Sequence, residues 1–278
     1  MIKQAIIPLA GMGTRLLPLT SVFPKELLPI NGKPGLEYIL DECIEAGIKE
    51  VIFIISTKKL IIKKYFYNDN YFKKIIKSKK KDKRLKLEYA KIKKYKKMIK
   101  FVYQNTPRGT GDAVLKCEKF IKDKSFLMLL PDDLIIKKNC SKAIIKIHNR
   151  NKASVIASKK VSKKDVSRWG IFKIKKINNK TFYIKDVVEK PTIKNAPSNF
   201  AVIGRYILPS DIFKVLKKQT PGQNGEIHIT DAIRSLVKSK KNFLGHVFDG
   251  KYLDCGTMKG YINSSIEISK SKLWKFAW

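Results

Sequence analysis

Two cations on a proline-stiffened loop and carboxylates at the ends of two apolar runs are the residues of this chain with the clearest chemical potential. The loop is Ala10-Gly11-Met-Gly13-Thr-Arg15, and it directly follows the apolar run Gln4 to Leu9. Glycines at such a point let backbone N–H groups come close to a phosphate or a base, and Arg15 adds a planar, permanently charged fork. Lys25 follows inside Pro24-Lys-Glu26-Leu-Leu-Pro29, where the prolines fix φ. Cations held this way suit a triphosphate whose leaving pyrophosphate gains charge in the transition state. The loop is not a dinucleotide fingerprint, because no third glycine opens a helix and Pro18 comes soon after. Gly245 to Lys251 has the Walker spacing but continues with Tyr252 in place of Ser or Thr, so that match is accidental.

Asp132 and Asp133 end the run Phe126 to Leu130, and Asp254 ends Tyr252-Leu253. One such aspartate is as readily a turn residue, but two at the rim of one sheet suit Mg²⁺, which takes one or two carboxylates and completes its octahedron with phosphates and water. Gln104 opens a second glycine-rich turn, Gln104-Asn-Thr-Pro-Arg-Gly109-Thr-Gly111. Its amide offers one donor and one acceptor, which complements the N3–H and carbonyl of uracil, although on the residues alone it could equally be a loop residue. Further along stand Arg168-Trp-Gly170, Val187-Val-Glu189-Lys190-Pro191 and Gly225-Glu226-Ile-His-Ile-Thr-Asp231, each of which taken singly reads as a hairpin or a cap.

In order, these blocks resemble the signature of the nucleoside-diphosphate-sugar pyrophosphorylases, over about residues 3 to 265. Ala196 to Leu208, the Glu226 block and Asp254-Cys-Gly256 look most like the bacterial UTP:glucose-1-phosphate uridylyltransferase branch, rather than the dTDP- or ADP-sugar branches. The resemblance implies that UTP and glucose 1-phosphate are the substrates, with relatives using dTTP, CTP or ATP as the alternative. It implies that Arg15, Lys25 and Lys190 are catalytic, and that Ala10, Gly11, Gly13, Glu26, Gln104, Gly109, Asp132 and Asp133 meet the nucleotide. Gly170, Glu189, Lys190 and Glu226 would meet the sugar phosphate, and Asp132 and Asp254 would hold Mg²⁺. It also implies a homo-oligomer. Asp112 departs from the family pattern and receives no role.

The elements that must carry these residues follow from hydrophobic patterning. Nearly all-apolar runs at Gln4 to Leu9, Val51 to Ser56, Lys100 to Tyr103 and Phe126 to Leu130 alternate with helical segments, as in parallel strands buried on both faces. Pro34 opens a helix with an apolar stripe at Leu36, Ile39, Leu40, Cys43 and Ile44, and Gly47 stops it. The lysine-dense stretch Tyr71 to Lys100 reads as one or two surface helices. Later the pattern turns to β hairpins at Ser154 to Ala157, Gly170 to Ile177 and Phe182 to Val188, then a strand Phe200 to Leu208. Ser141, Ser210 and Thr230 read as helix N-caps, and Phe243 to Phe248 reads as pairing with Tyr252-Leu253 before a helix over Met258 to Trp274. The expectation is one α/β domain over residues 1–278. It comprises a Rossmann-like, doubly wound, mostly parallel sheet with helices on both faces (about 1–140), a smaller β-rich sugar-binding lobe (about 141–257) and a C-terminal helix.

Composition sets the class. A hydrophobic content of 44% is ordinary for a globular chain, and no apolar stretch approaches the ~20 residues needed to span a bilayer. The net charge of +37 raises an RNA or anionic-membrane partner as a rival reading, but only seven of the 60 basic residues are arginine and the lysines are spread along the whole chain. That distribution fits a solvated surface better than a dedicated nucleic-acid face, so no specific nucleic-acid partner is expected. Cys43, Cys117, Cys140 and Cys255 lie far apart, as free thiols in a reducing, cytoplasmic setting would.

Overall fold

The computed structural model describes residues 2–222 and 225–271. In the first half β1 (Gln4–Pro8) leads through a short hairpin, β2 (Pro29–Ile30) and β3 (Lys33–Pro34), into α1 (Gly35–Glu45) and β4 (Glu50–Ile55). The hairpin turns on Asn31-Gly32, both at positive φ, which is the dipeptide that favours tight β turns. Helices α2 (Leu60–Tyr67), α3 (Asn70–Ser78) and α4 (Lys83–Met98) precede β5 (Ile99–Tyr103). Then come α5 (Thr110–Leu115), β6 (Ser125–Leu129), β7 (Asp133–Ile136) and α6 (Cys140–Asn151). The second half holds β8 (Ser154–Lys160), β9 (Gly170–Lys176), β10 (Thr181–Glu189), β11 (Phe200–Pro209), α7 (Ile212–Lys218) and α8 (Ile229–Lys238). It closes with β12 (Phe243–Val247), β13 (Lys251–Asp254) and α9 (Met258–Lys270).

Among the described residues nine strands form one sheet in the order β5-β4-β1-β6-β11-β8-β12-β10-β9. The β5, β4, β1 and β6 side is parallel throughout, while β11, β9 and β10 add antiparallel pairings on the other side. Strand alternation gives the sheet two packed faces. Ile7, Leu9, Phe53, Leu127 and Ile203 face α1, α2, α4 and α6, while Ile6, Ile52, Ile54, Met128 and Leu208 face α5, α7 and α8. Both faces are therefore covered, which is why these strands read as unbroken apolar runs. No helix of the described residues is long and apolar enough to cross a membrane.

Several local expectations change. Asn139, not Ser141, caps α6, its Oδ1 accepting from Lys142 N at 2.8 Å; Ser141 is fully buried and donates to Glu42 instead. Asp211 and His228 precede α7 and α8, so Ser210 and Thr230 are not their N-caps. The segment Asp112 to Ile121 reads as the helix after the Gln104 turn, whereas the helix there is Thr110–Leu115. The Ser154 run is a central strand between β11 and β12, whereas β9 and β10 do form a hairpin. Tyr252-Leu253 pairs with β7 and not with the Phe243 run, which lies between β8 and β10. That exchange matters for function, since the β13–β7 ladder sets Asp254 opposite Asp133. The lysine-dense segment forms α3 and α4, and α4 sends Ile92, Tyr95 and Met98 into the core. The part of the C-terminal helix expected beyond residue 271 lies outside the described residues.

Candidate active site

The chain leaves the sheet just past β1, where Leu9 N donates to Ile54 O at 2.7 Å. Gly13 then sits at φ 70°, in the left-handed region, with its carbonyl accepting from Thr20 Oγ1 at 2.9 Å. Leu16 is buried and anchors the short turn that carries Arg15. Lys25 lies in a second turn, beneath which the Glu26 carboxylate faces inward. Both Glu26 oxygens accept from Lys59 Nζ at 2.9 Å, and the same ammonium donates to Leu9 O at 2.7 Å. The side chain of Glu26 thus ties the Lys25 turn to the end of β1, and the structure does not direct it at a ligand.

Lys25 Nζ reaches Asp132 Oδ2 at 2.5 Å. Burial opposes the charge on both groups, yet Asp132 and Glu26 raise the lysine above its ordinary value, and Lys25 holds the Asp132 carboxyl below its own. Asp133 behaves oppositely: burial and the neighbouring Asp132 push it up to about 6, against the groups that hydrogen-bond it. Those groups are Tyr252 OH at 2.6 Å and Gly204 N at 2.8 Å, so the side chain of Asp133 is engaged within the protein while that of Asp132 is presented. Gly204 is required here, because a Cβ would lie 2.5 Å from both Asp133 Oδ2 and Leu130 Cβ.

A second cation, missed in the sequence, holds this turn. Arg205 is fully buried; its Nε donates to both Glu42 oxygens at 3.0 Å and its Nη2 to Glu42 Oε2 at 2.7 Å. Nη1 also donates to Leu130 O at 3.2 Å and Nη2 to Asp133 O at 2.7 Å. The guanidinium therefore grips the backbone on both sides of Pro131-Asp132. The signal was present as an arginine in the middle of the apolar run Phe200 to Leu208, where charge is tolerated only when paired.

The Asp132-Asp133 turn opens onto a cleft of about 530 Å³. Arg15, Asp132, Asp133 and Asp254 lie on one side, and Gly170, Glu189 and Lys190 come from the β9–β10 hairpin. A Cβ at Gly170 would stand 3.1 Å from Glu189 Oε2, so the glycine keeps that carboxylate accessible. Lys190 N donates to Trp169 O at 3.0 Å, and among the described residues its exposed ammonium forms no ion pair. Arg168, Trp169, Tyr206, Thr230 and Thr257 also line the cleft and were not foreseen. The hydroxyl of Thr230 is buried without a hydrogen-bond partner among the described residues.

Two expected neighbourhoods lie apart from this cleft. Glu226 is not among its lining residues; its half-exposed carboxylate stands 3.8 Å from His228 Nε2. The following residue, Ile227, packs over the Gly109 turn, with Ile227 N donating to Arg108 O at 2.8 Å and Gly111 N donating to Ile227 O at 2.7 Å. Gly109 has φ 96°, and a Cβ there would meet Ile227 O at 2.5 Å. Gln104 sits at the end of β5, level with the ends of β4 and β1, and its Nε2 donates to Asp112 Oδ2 at 2.7 Å and to Gly109 O at 3.2 Å.

The structure also tests the residues expected to hold a metal. Among the described residues no cluster of three His, Cys, Asp or Glu side chains could hold a metal ion. Asp132 Oδ2, the oxygen paired with Lys25, and Asp254 Oδ1, which accepts from Gly256 N at 2.9 Å, nevertheless converge, lying 2.9 and 3.3 Å from the point where a side chain on Gly256 would begin. Two oxygen ligands beside an open cleft fit a divalent cation that draws its remaining ligands from substrate phosphates and water.

A model of the nucleotidyl transferase family matches residues 4–271. The chain is 37% identical over 274 residues to the UTP–glucose-1-phosphate uridylyltransferase of Streptococcus pyogenes, covering 96% of this chain and 88% of that protein. The crystal structure of a UDP-glucose pyrophosphorylase complexed with UDP-glucose is 35% identical and superposes with a TM-score of 0.85, covering 97% of this chain and 99% of the other. The UTP-bound enzyme of that kind from Acinetobacter baumannii, at 32% identity, gives 0.87 over 96% and 93%. The chain belongs to the nucleotidyl transferase family.

Proposed function

We propose that this chain transfers the uridylyl group of UTP to glucose 1-phosphate, forming UDP-glucose and pyrophosphate. The observation that carries the reading is one cleft lined by Arg15, Asp132, Glu189 and Lys190, with Lys25 paired to Asp132 at its edge. The names of the relatives and the bound UDP-glucose of one of them support the choice of substrates.

A phosphate oxygen of glucose 1-phosphate attacks the α-phosphorus of UTP in line; the new P–O bond forms as the bond to the β-phosphate oxygen breaks, and no protein nucleophile is needed. Arg15 and Lys25 receive the triphosphate. Lys25 is held against Asp132 before substrate arrives, so it stands charged and oriented beside that cleft-lining carboxylate. Lys190 aligns the attacking phosphate, and Glu189 accepts from sugar hydroxyls. Asp132 and Asp254 would hold Mg²⁺, which supplies charge neutralisation along the phosphates. Positioning and fixed charge account for the rate.

Product analysis after incubation with UTP, glucose 1-phosphate and Mg²⁺ tests this. UDP-glucose and pyrophosphate should appear in equal amounts, and a chelator should abolish both. Release of inorganic phosphate alone, or no UDP-glucose, overturns the reading.

A further inference from the structure

We propose that Asp112 is a positioning residue that dictates which edge of the Gln104 amide faces the nucleobase, and so sets the choice between pyrimidine triphosphates. The inference rests on the reading of Gln104 as the residue that meets the base.

Gln104 is 3% exposed and follows β5, with its own N–H bonded to Ile55 O at 2.9 Å. It therefore stands at the same rim as the loop leaving β1, two strand spacings or about 10 Å away. Its Nε2 has two hydrogens and two acceptors: Asp112 Oδ2 at 2.7 Å and Gly109 O at 3.2 Å. Neither partner can donate at those atoms, because one is a backbone carbonyl oxygen and the other a carboxylate whose second oxygen accepts from Arg108 Nη2 at 3.1 Å. Exchanging the amide oxygen and nitrogen would set three acceptors against one another. The orientation of Gln104 is therefore imposed chemically, and Oε1 is the edge left over: among the described residues no donor reaches it, and it is not one of the sealed, unpartnered atoms.

A free acceptor selects a base that presents an N–H. Uracil and thymine carry one at N3. Cytosine carries an unprotonated nitrogen there, and that nitrogen would face Oε1 lone pair to lone pair. Leaving such a buried group unsatisfied costs enough to discriminate by roughly 5- to 150-fold. Asp112 touches no substrate in this scheme. It acts by keeping Nε2 turned away from the base, and the Gly109 turn supplies the second acceptor.

The test is Asp112→Asn, with kcat/KM measured for UTP, CTP and dTTP. Asparagine can donate to Gln104 Oε1, which removes the stronger of the two acceptors that fix the amide; only Gly109 O, at 3.2 Å, then opposes its turning over to offer Nε2 to cytosine. The UTP-to-CTP ratio should fall by roughly tenfold or more, the UTP-to-dTTP ratio should hold, and in a Gln104→Ala background the substitution should leave the UTP-to-CTP ratio where it was. Asp112→Ser, whose hydroxyl can also donate, repeats the test if the asparagine variant does not fold. An Asp112 variant that slows UTP and CTP equally overturns the proposal, because a merely structural carboxylate would do that. Wild-type protein without preference for UTP over CTP overturns instead the uridylyl reading on which it rests.

Discussion

Arg205→Met should be the most damaging substitution that touches no substrate. The side chain is fully buried, and it supplies the counter-charge of Glu42 together with hydrogen bonds to three backbone carbonyls. Removing one partner of a buried ion pair leaves the other uncompensated and costs about 3–5 kcal/mol. For a domain of this size each kcal/mol moves the melting temperature by roughly 2–4 °C, so a fall of about 6–20 °C is expected in calorimetry. Adding Glu42→Gln should recover part of that loss: the buried charge disappears, while the glutamine carbonyl still accepts from Ser141 N and Oγ, now 3.0 and 2.6 Å from Glu42 Oε1. Turnover measured below the unfolding transition should fall as well, because Leu130 O and Asp133 O flank Asp132 and lose their common donor. The reasoning is refuted if Arg205→Met costs less than about 1 kcal/mol, the size of an average substitution, or if Glu42→Gln makes the variant still less stable.

Lys190→Ala should lower kcat by about 10²- to 10³-fold, the usual worth of one preorganised donor to a transition state, while leaving thermal stability unchanged; steady-state kinetics with saturating glucose 1-phosphate decide it, and near-normal turnover would remove the lysine from its assigned role. Gly109→Ala combines a left-handed φ of 96° with a Cβ placed 2.5 Å from Ile227 O. The strain should cost about 1–3 kcal/mol in denaturant unfolding and raise KM for UTP more than KM for glucose 1-phosphate; a silent substitution would show that the turn is not fixed as described.

The loop motifs and the doubly wound half were legible because both depend on local sequence: glycines and prolines shape a loop wherever it lies, and strands buried on both faces must be apolar throughout. What stayed hidden depends on partners distant in the chain. Glu42 looks like a surface residue of an amphipathic helix until Arg205 arrives from β11, 163 positions away. Asp133 is indistinguishable from Asp132 in the sequence, and only Tyr252 and Gly204 separate a held carboxylate from a presented one. Tyr252-Leu-Asp254 reads as the partner of the Phe243 run that immediately precedes it, whereas its true partner lies before α6. Asp112 broke the family pattern and had no role to inherit, so its meaning came only from the amide it fixes.

The central claim is the transfer of a uridylyl group, and competition measures it most directly. Equal concentrations of UTP, dTTP, CTP and ATP are offered together with glucose 1-phosphate and Mg²⁺, and the nucleotide sugars formed at early times are separated and counted. UDP-glucose is expected to be the principal product, with CDP- and ADP-glucose far behind it. Dominance of dTDP-, CDP- or ADP-glucose would contradict the account, whatever the total rate of pyrophosphate release.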